Sequence, residues 1–382
     1  MEALKQTRKM VVSRFDGEQK NFYLKPQNEE AEEQAVSCNI KLQGMVNEQP
    51  LQVKTDFPLT NYSVFRFTNP YLNAQNDLFK INYSDKSIGY IIPFSAIEDN
   101  NENPEEEFDV YKQAYKYYCV KSIIENHDFD FQPSGGPIHL SNLVDKDSIF
   151  VILCKSLIGD ATFKIEDCLP SFALRGYYFF PGNTKPNVLS FAAERTTDVD
   201  LNNLIDTRFL ANRGNASIHI QKSKIAIEQN QLLYLLYTKL LVESNNPLHR
   251  FLILYQVIEL LVETKIRKGI NGVCIEKDKL NNYDFFQKLF EVNNTRSAIS
   301  SLFDAVVFSE KTEITNALKD FILQTNANYA KQTTGDCFYD IRNLLFHDFK
   351  RVIVKKNDGD ISGLVLQCEI LIHQLIISFI PY

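Results

Sequence analysis

The sequence predicts an α+β protein in which a β-rich N-terminal domain, residues 1–217, is followed by an all-helical bundle, residues 218–382. Two observations carry that reading. From Met10 to about Arg213 the apolar residues fall in short alternating runs broken by Gly, Pro and Asn, the spacing of half-buried strands. From about Ser223 they recur every three to four positions over long segments, the spacing of helices that bury one face. The change lies between Gly214 and Lys222, where the alternation of Ile218 and Ile220 gives way to the helical period.

In the first half, strands are expected at Met10 to Phe15, Val36 to Leu42, Tyr62 to Thr68, Leu78 to Tyr83, Ile88 to Phe94, Ile149 to Cys154 and Val188 to Ala192. Alternating aromatic side chains suit sheet faces there. A helix from about Glu106 to Glu125 interrupts them, its partly apolar face carrying Tyr111, Tyr115, Tyr118 and Ile123, as a lid or a packing helix. The acidic run Glu29 to Glu33 reads as a solvated loop or helical turn.

In the second half, helices are expected at Lys224 to Val242 and Leu248 to Arg267, separated by the breaker Asn245-Asn246-Pro247. The Leu248 helix is apolar nearly all round, as a central buried helix must be, and Gly269 to Gly272 should end it. Asp284 to Glu291, Ser297 to Phe308, Lys311 to Thr325, Thr334 to Phe346 and Ile361 to Phe379 complete the bundle.

Composition narrows the function classes. With 382 residues, 44% hydrophobic and 23% charged, the chain suits two or three globular domains. A net charge of -7, from 41 basic and 48 acidic residues, leaves no global basic field, so a nucleic-acid partner needs a local patch. Seven cysteines stand singly, with no histidine at ligand spacing, which is the usage of buried thiols in a reducing cytoplasm and not of a disulfide framework or zinc site. No metal or other cofactor is expected. No basic-then-apolar leader opens the chain, and no apolar run approaches the roughly 20 residues of a membrane span, Phe251 to Val262 being the nearest. A cytoplasmic protein with no membrane partner is the simplest expectation.

The chemistry is expected in Asp340-Ile-Arg-Asn-Leu-Leu-Phe-His347. On a helix, Asn343 and His347 share a face, and Arg342 lies between that face and the apolar stripe of Phe338, Ile341 and Leu345. An arginine, an amide and an imidazole on one rigid element can grip a phosphate and move a proton. Arg342 and His347 are five apart, about 140° round an ideal helix, so they should point different ways unless two chains share the site or the helix ends near Phe346. An ion pair of Arg342 with Asp340 or Asp348, and His347 as a C-terminal cap, would explain the same residues.

Three further groups bear on it. Glu259 is either part of an exposed seam with Gln256, Glu263 and Arg267, or a carboxylate that positions Arg342. Lys350, Arg351, Lys355 and Lys356 can track a nucleic-acid backbone, or form a solvated loop, and Lys265, Arg267 and Lys268 make a smaller cluster. His373, on a largely apolar last helix, reads as a core or interface histidine. In the first half there is no glycine-rich phosphate loop or nucleophile elbow, and His139, Asp145 and Asp147 are close only in sequence.

An all-helical domain whose late helix carries Arg342-Asn343, three residues, then His347 resembles the HEPN superfamily, marked by an arginine, four to six residues and a histidine. The run Arg250 to Leu261 is similar to that family's buried helix with an embedded glutamate, here Glu259. A β-rich N-terminal part fused to such a domain is most similar to the ApeA-like anti-phage proteins. The resemblance implies a metal-independent endoribonuclease, acting as a homodimer whose protomers face each other across a shared cleft, that cuts RNA through its own 2′-hydroxyl. Arg342 would clamp the phosphate, His347 would act as general acid or base, and Asn343 would orient the histidine or the substrate. The N-terminal half would then sense a phage-derived trigger or restrain the nuclease. Other functions the resemblance allows are a non-catalytic binding or dimerisation module and the toxin of a toxin–antitoxin pair.

Overall fold

The computed structural model describes residues 10–16, 21–27, 32–38, 45–46, 49–50, 62–69, 78–98, 110–126, 136–180, 217–244, 246–348, 350, 352 and 358–379. They form an α+β chain, β-rich first and helical after. The strand expected at Val188 to Ala192 lies outside the described residues, as does all of the acidic stretch Asn100 to Glu107.

Contacts divide the described residues into two compact units. The first lies within Met1–Phe163, Phe179–Lys185 and Leu210–Ile220, the second within Lys164–Tyr178, Pro186–Phe209 and Gln221–Tyr382. In chain order the strands are β1 (Met10–Asp16), β2 (Asn21–Pro26), β3 (Gln34–Ser37), β4 (Met45–Val46), β5 (Gln49–Pro50), β6 (Tyr62–Thr68), β7 (Phe79–Tyr83), β8 (Lys86–Pro93), β9 (Ile138–His139), β10 (Ile149–Cys154), β11 (Tyr178–Phe179) and β12 (Ser217–His219). One sheet has the order β1-β2-β3-β9 and a larger one β11-β6-β10-β8-β7-β12, while β4 and β5 pair alone. Ser84 and Asp85, both with positive φ, make the tight turn that pairs β7 antiparallel with β8.

Strand β2 departs from the expected pattern. Its apolar residues do alternate, with Phe22, Leu24 and Pro26 inward, but Asn21 and Lys25 dilute the signal. Helix α1 (Val110–Glu125) is a packing helix. Tyr115, Cys119, Val120 and Ile124 are buried in one core with Phe15, Phe22 and Leu24 of the first sheet and Tyr90, Ile92, Phe150 and Ile152 of the second. Each such side chain contributes roughly 1.5–3 kcal/mol by leaving water. Of the acidic run, Glu33 pairs with Arg14 at 2.9 Å and the Ser13 hydroxyl donates to it.

The helical unit begins before residue 217. Helix α2 (Leu169–Ala173) is buried at every position. Its neighbours tie it to the bundle: Ile227 N donates to Asp167 Oδ1 at 2.8 Å and Gln221 N to Ser171 Oγ at 3.0 Å. Helix α3 is built from Gln231–Leu235, a wider π turn over Leu236–Leu240, and Leu241–Glu243, capped by Asn230, whose side chain accepts from Leu233 N.

Helix α4 (Pro247–Ile275) starts at its asparagine cap and proline as expected but runs on through Gly269 and Gly272. Gly269 serves an approach instead of an end. A Cβ there would sit 2.5 Å from Val292 Cγ1, at the close of α5 (Asn282–Val292). After α5 come α6 (Thr295–Asp304), α7 (Lys311–Thr325), α8 (Thr334–His347) and α9 (Asp358–Ser378).

The central buried helix is α9, not α4. Helix α4 leaves Leu252, Gln256, Glu259 and Glu263 exposed along one seam, whereas 78% of the Ile361–Ser378 segment is buried. That segment, and not Phe251 to Val262, is the one described helix long and apolar enough to cross a membrane. Its apolar surface is covered by the bundle itself. Six of the seven cysteines are buried, and Cys274, near the end of α4, is exposed against expectation.

Candidate active site

Helix α8 is held at its start by Thr333, whose Oγ1 accepts from Asp336 N at 3.1 Å and donates to the Asp336 carboxylate at 2.8 Å. Its apolar stripe, Cys337, Phe338, Ile341 and Leu345, is buried. Phe338 packs on Phe251 and Tyr255 of α4 and Phe303 of α6. Gly335 lets α8 touch α6, because a Cβ there would lie 2.3 Å from Ser300 Cα. The helix that carries the motif is therefore fixed on two sides.

Arg342 and His347 touch within one chain. Arg342 Nη1 lies 2.9 Å from His347 Nε2 and donates to Asn343 Oδ1 at 3.0 Å. The divergence expected of an unbroken helix does not arise, because the helix ends at His347, one of the two conditions under which the residues can meet. The long arginine side chain spans the remaining gap to His347 in the last turn. Two aromatic rings steer it there: the guanidinium carbon is 5.4 Å from the Tyr255 ring centre and 5.3 Å from that of Phe346. Because guanidinium only donates, this contact requires His347 Nε2 to accept, with the ring proton on Nδ1. Asn343 holds the arginine by this bond.

The ion-pair alternative does not hold for Asp340. Its carboxylate receives Arg296 at 3.0 Å, Lys331 at 2.9 Å and the Tyr329 hydroxyl at 3.0 Å. Arg296 also binds Asp336 at 2.6 Å. Burial raises the Asp336 carboxyl, but Arg296 and Thr333 outweigh it and hold the group below its usual range. Arg342 bonds Asn343 and lies against His347 and the two rings, and its buried Nε has no hydrogen-bond partner among the described residues.

Glu259 is exposed and makes no hydrogen bond to Arg342, so the solvated-seam account describes it and the embedded glutamate does not. It does line the same cleft of about 170 Å³, with Tyr255, Thr295, Ile299, Tyr339 and Arg342. Burial pushes the Tyr255 phenol up, opposed by the nearby Arg342 charge. Asn343 opens on a larger recess of about 640 Å³ beside Asn326, Asn328, Lys331, Asp340 and Asp348. His347 itself is exposed.

Of the expected backbone-tracking cations, Lys350 is exposed, while Arg351, Lys355 and Lys356 lie outside the described residues. The smaller cluster is partly neutralised. Arg267 pairs with Glu263 at 2.6 Å, and Lys265 donates to the Ser301 hydroxyl. In the first unit, His139 Nδ1 is 2.7 Å from Ser37 Oγ, and Asp145 accepts from Asp147 N at 3.3 Å.

A second constellation was not anticipated from the sequence. Arg250 of α4 forks onto Glu369 of α9 with bonds of 2.6 and 2.8 Å. Glu369 Oε1 also accepts from Tyr178 at 2.7 Å and lies 3.1 Å from His373 Nε2, whose Nδ1 lies 2.7 Å from the Tyr237 hydroxyl. Burial raises the Glu369 carboxyl, yet Arg250 and His373 more than offset it and hold the group well below the usual range. Arg250, Glu369 and His373 are 2%, 1% and 0% exposed, so no substrate reaches them. His373 is a core histidine. The signal that could have found this constellation is a glutamate and a histidine four apart in a largely apolar helix, a pair that must find partners.

A comparison with models of known families, with curated proteins and with solved structures finds no match to this chain.

Proposed function

We propose that the protein is a metal-independent endoribonuclease of the HEPN type that acts in anti-phage defence in the cytoplasm, cleaving RNA through its 2′-hydroxyl. The observation that supports this reading most is the 2.9 Å approach of Arg342 Nη1 to His347 Nε2 at an exposed helix end. A phosphate oxygen accepts from a guanidinium more strongly than an imidazole nitrogen does. An RNA phosphate arriving there would take over Arg342 and free Nε2 beside the reacting bond.

In the reaction, a base removes the proton of the 2′-hydroxyl and its oxygen attacks the adjacent phosphorus. The bond to the 5′-oxygen breaks and that oxygen takes up a proton. The products are a 2′,3′-cyclic phosphate and a 5′-hydroxyl. Arg342 neutralises charge on the non-bridging oxygens, and His347 carries one proton transfer. A homodimer through the helical domain would bring a second histidine for the other. The N-terminal domain senses a phage-derived trigger or restrains cutting, and Lys350, with Arg351, Lys355 and Lys356, follows the RNA backbone.

Purified protein and its Arg342→Ala and His347→Ala variants, incubated with mixed RNA in excess chelator, test this. Cutting by the wild type that falls by about 10²- to 10⁴-fold in His347→Ala supports the reading. Cutting that needs metal, or that survives both substitutions, overturns it. If no protein cuts, expression in cells is the deciding assay: toxicity abolished by either substitution is expected, and the absence of any difference counts against the reading.

A further inference from the structure

Asn343 belongs to two features at once. Its Oδ1 accepts from Arg342 Nη1 at 3.0 Å, and it lines a recess of about 640 Å³ within the helical unit. That volume falls in the range of roughly 300–1,000 Å³ that holds small organic ligands. The cleft beside Glu259, at about 170 Å³, falls below it. The recess is therefore the place next to Arg342 and His347 where a whole chemical group of the substrate can lodge.

Charge decides which group. Helix α7 ends at Thr325 and α8 at His347, and the residues that close them, Asn326 and Asp348, both line the recess. The last carbonyls of a helix lack partners within it and form the negative end of its dipole. Two such ends converge here with the carboxylates of Asp340 and Asp348. Lys331, the one cation of this lining among the described residues, lies 2.9 Å from Asp340 and is neutralised by it. Such a recess repels a phosphate and attracts a group that presents N–H donors.

The rest of the lining suits a flat heterocycle. Ile322 and Leu344 supply apolar contact, and Tyr329 adds a ring whose hydroxyl donates to Asp340 at 3.0 Å. The Asn328 side chain makes no hydrogen bond among the described residues. An asparagine amide can pair at once with an amino group and the ring nitrogen beside it, as it does with adenine. Cytosine carries the same two groups side by side, whereas uracil presents a carbonyl oxygen in place of the amino group.

From this we infer that the recess is a nucleobase subsite, which holds an adenine or cytosine of the RNA strand beside the phosphate gripped by Arg342, and that Asn328 and Asp348 select the base. A splayed single-stranded base read on its edge is the usual target of sequence-selective RNA binding. The inference rests on RNA as the substrate, as proposed above, and blocking the reacting 2′-hydroxyl separates its test from cleavage.

Fluorescence anisotropy of the full chain with labelled 2′-O-methyl oligonucleotides of A, of C and of U reads binding without cutting. The A and C strands are expected to bind about fivefold or more tighter than the U strand, the discrimination of one well-paired base edge. Asn328→Ala and Asp348→Asn should each bring that ratio toward one, with unchanged helicity. Equal binding of the three strands, binding of none of them, or a preference that survives both substitutions overturns the inference, even if the chain cuts RNA. A preference for A and C in a chain that cuts no RNA keeps the subsite and removes the nuclease reading instead.

Discussion

Arg250 and Glu369 stand 119 positions apart and meet as a forked ion pair in the core of the helical unit, joining α4 to α9. Sealed from water, the pair has stability consequences larger than those of any surface bridge. A buried charge left without its partner costs about 3–5 kcal/mol, whereas an exposed pair is worth about 0–1 kcal/mol.

Glu369→Gln is therefore expected to destabilise the helical unit by about 3–5 kcal/mol, read as a lowered urea midpoint by circular dichroism. The pH dependence has a fixed sign. Glu369 and Asp336 are both held below their usual range when folded. Their stabilisation is full above the unfolded carboxylate range, about pH 4, and is lost as pH falls through the lower folded values. The wild type should lose stability progressively on acidification below about pH 5, and Glu369→Gln should show a shallower slope. Equal slopes would remove Glu369 from the account.

Asn343→Ala removes the acceptor that holds Arg342 Nη1 at 3.0 Å. A hydrogen bond to a charged group contributes about 1.5–3 kcal/mol, so RNA cleavage is expected to drop at least about tenfold. Unfolding should shift little, since the side chain is only half-buried. Full activity in this variant would mean that the rings alone position the arginine.

Glu259→Ala should do almost nothing. The carboxylate is exposed and does not bond Arg342, so stability should stay within about 0.5 kcal/mol and cleavage within about twofold. A tenfold loss of cleavage would show that Glu259 acts on Arg342 across their shared cleft.

Gly335→Ala drives a Cβ to within 2.3 Å of Ser300 Cα, a backbone atom that cannot swing away. Helices α8 and α6 must separate, at a cost of about 1–3 kcal/mol. Because α8 carries Arg342 and His347, a differential scanning measurement should show the lowered melting temperature, and cleavage should fall with it. An unchanged melting temperature would mean that the helix pair yields freely.

The local elements were determined by the sequence alone where one periodicity dominated. Tyr62–Thr68, Ile149–Cys154 and Lys311–Thr325 have the expected bounds: Ile149–Cys154 is one apolar run buried at every position, and Lys311–Thr325 keeps the helical spacing of Ile314, Leu318, Phe321 and Ile322. The cap and proline at Asn246-Pro247 likewise mark the start of α4. Its end was not legible, since whether Gly269 stops a helix or admits a neighbour depends on Val292, which is 23 positions away. The candidate site divides in the same way. Residue types and spacing picked out Arg342, Asn343 and His347, but only the tertiary structure decided that Arg342 bends to His347. Tyr255 and Phe346 guide it there, and Arg296 and Lys331 take Asp340 out of competition. Asn343, Phe346 and His347 lie on α8 beside Arg342, but the Tyr255 ring comes from α4, and spacing along a single helix carries no record of it.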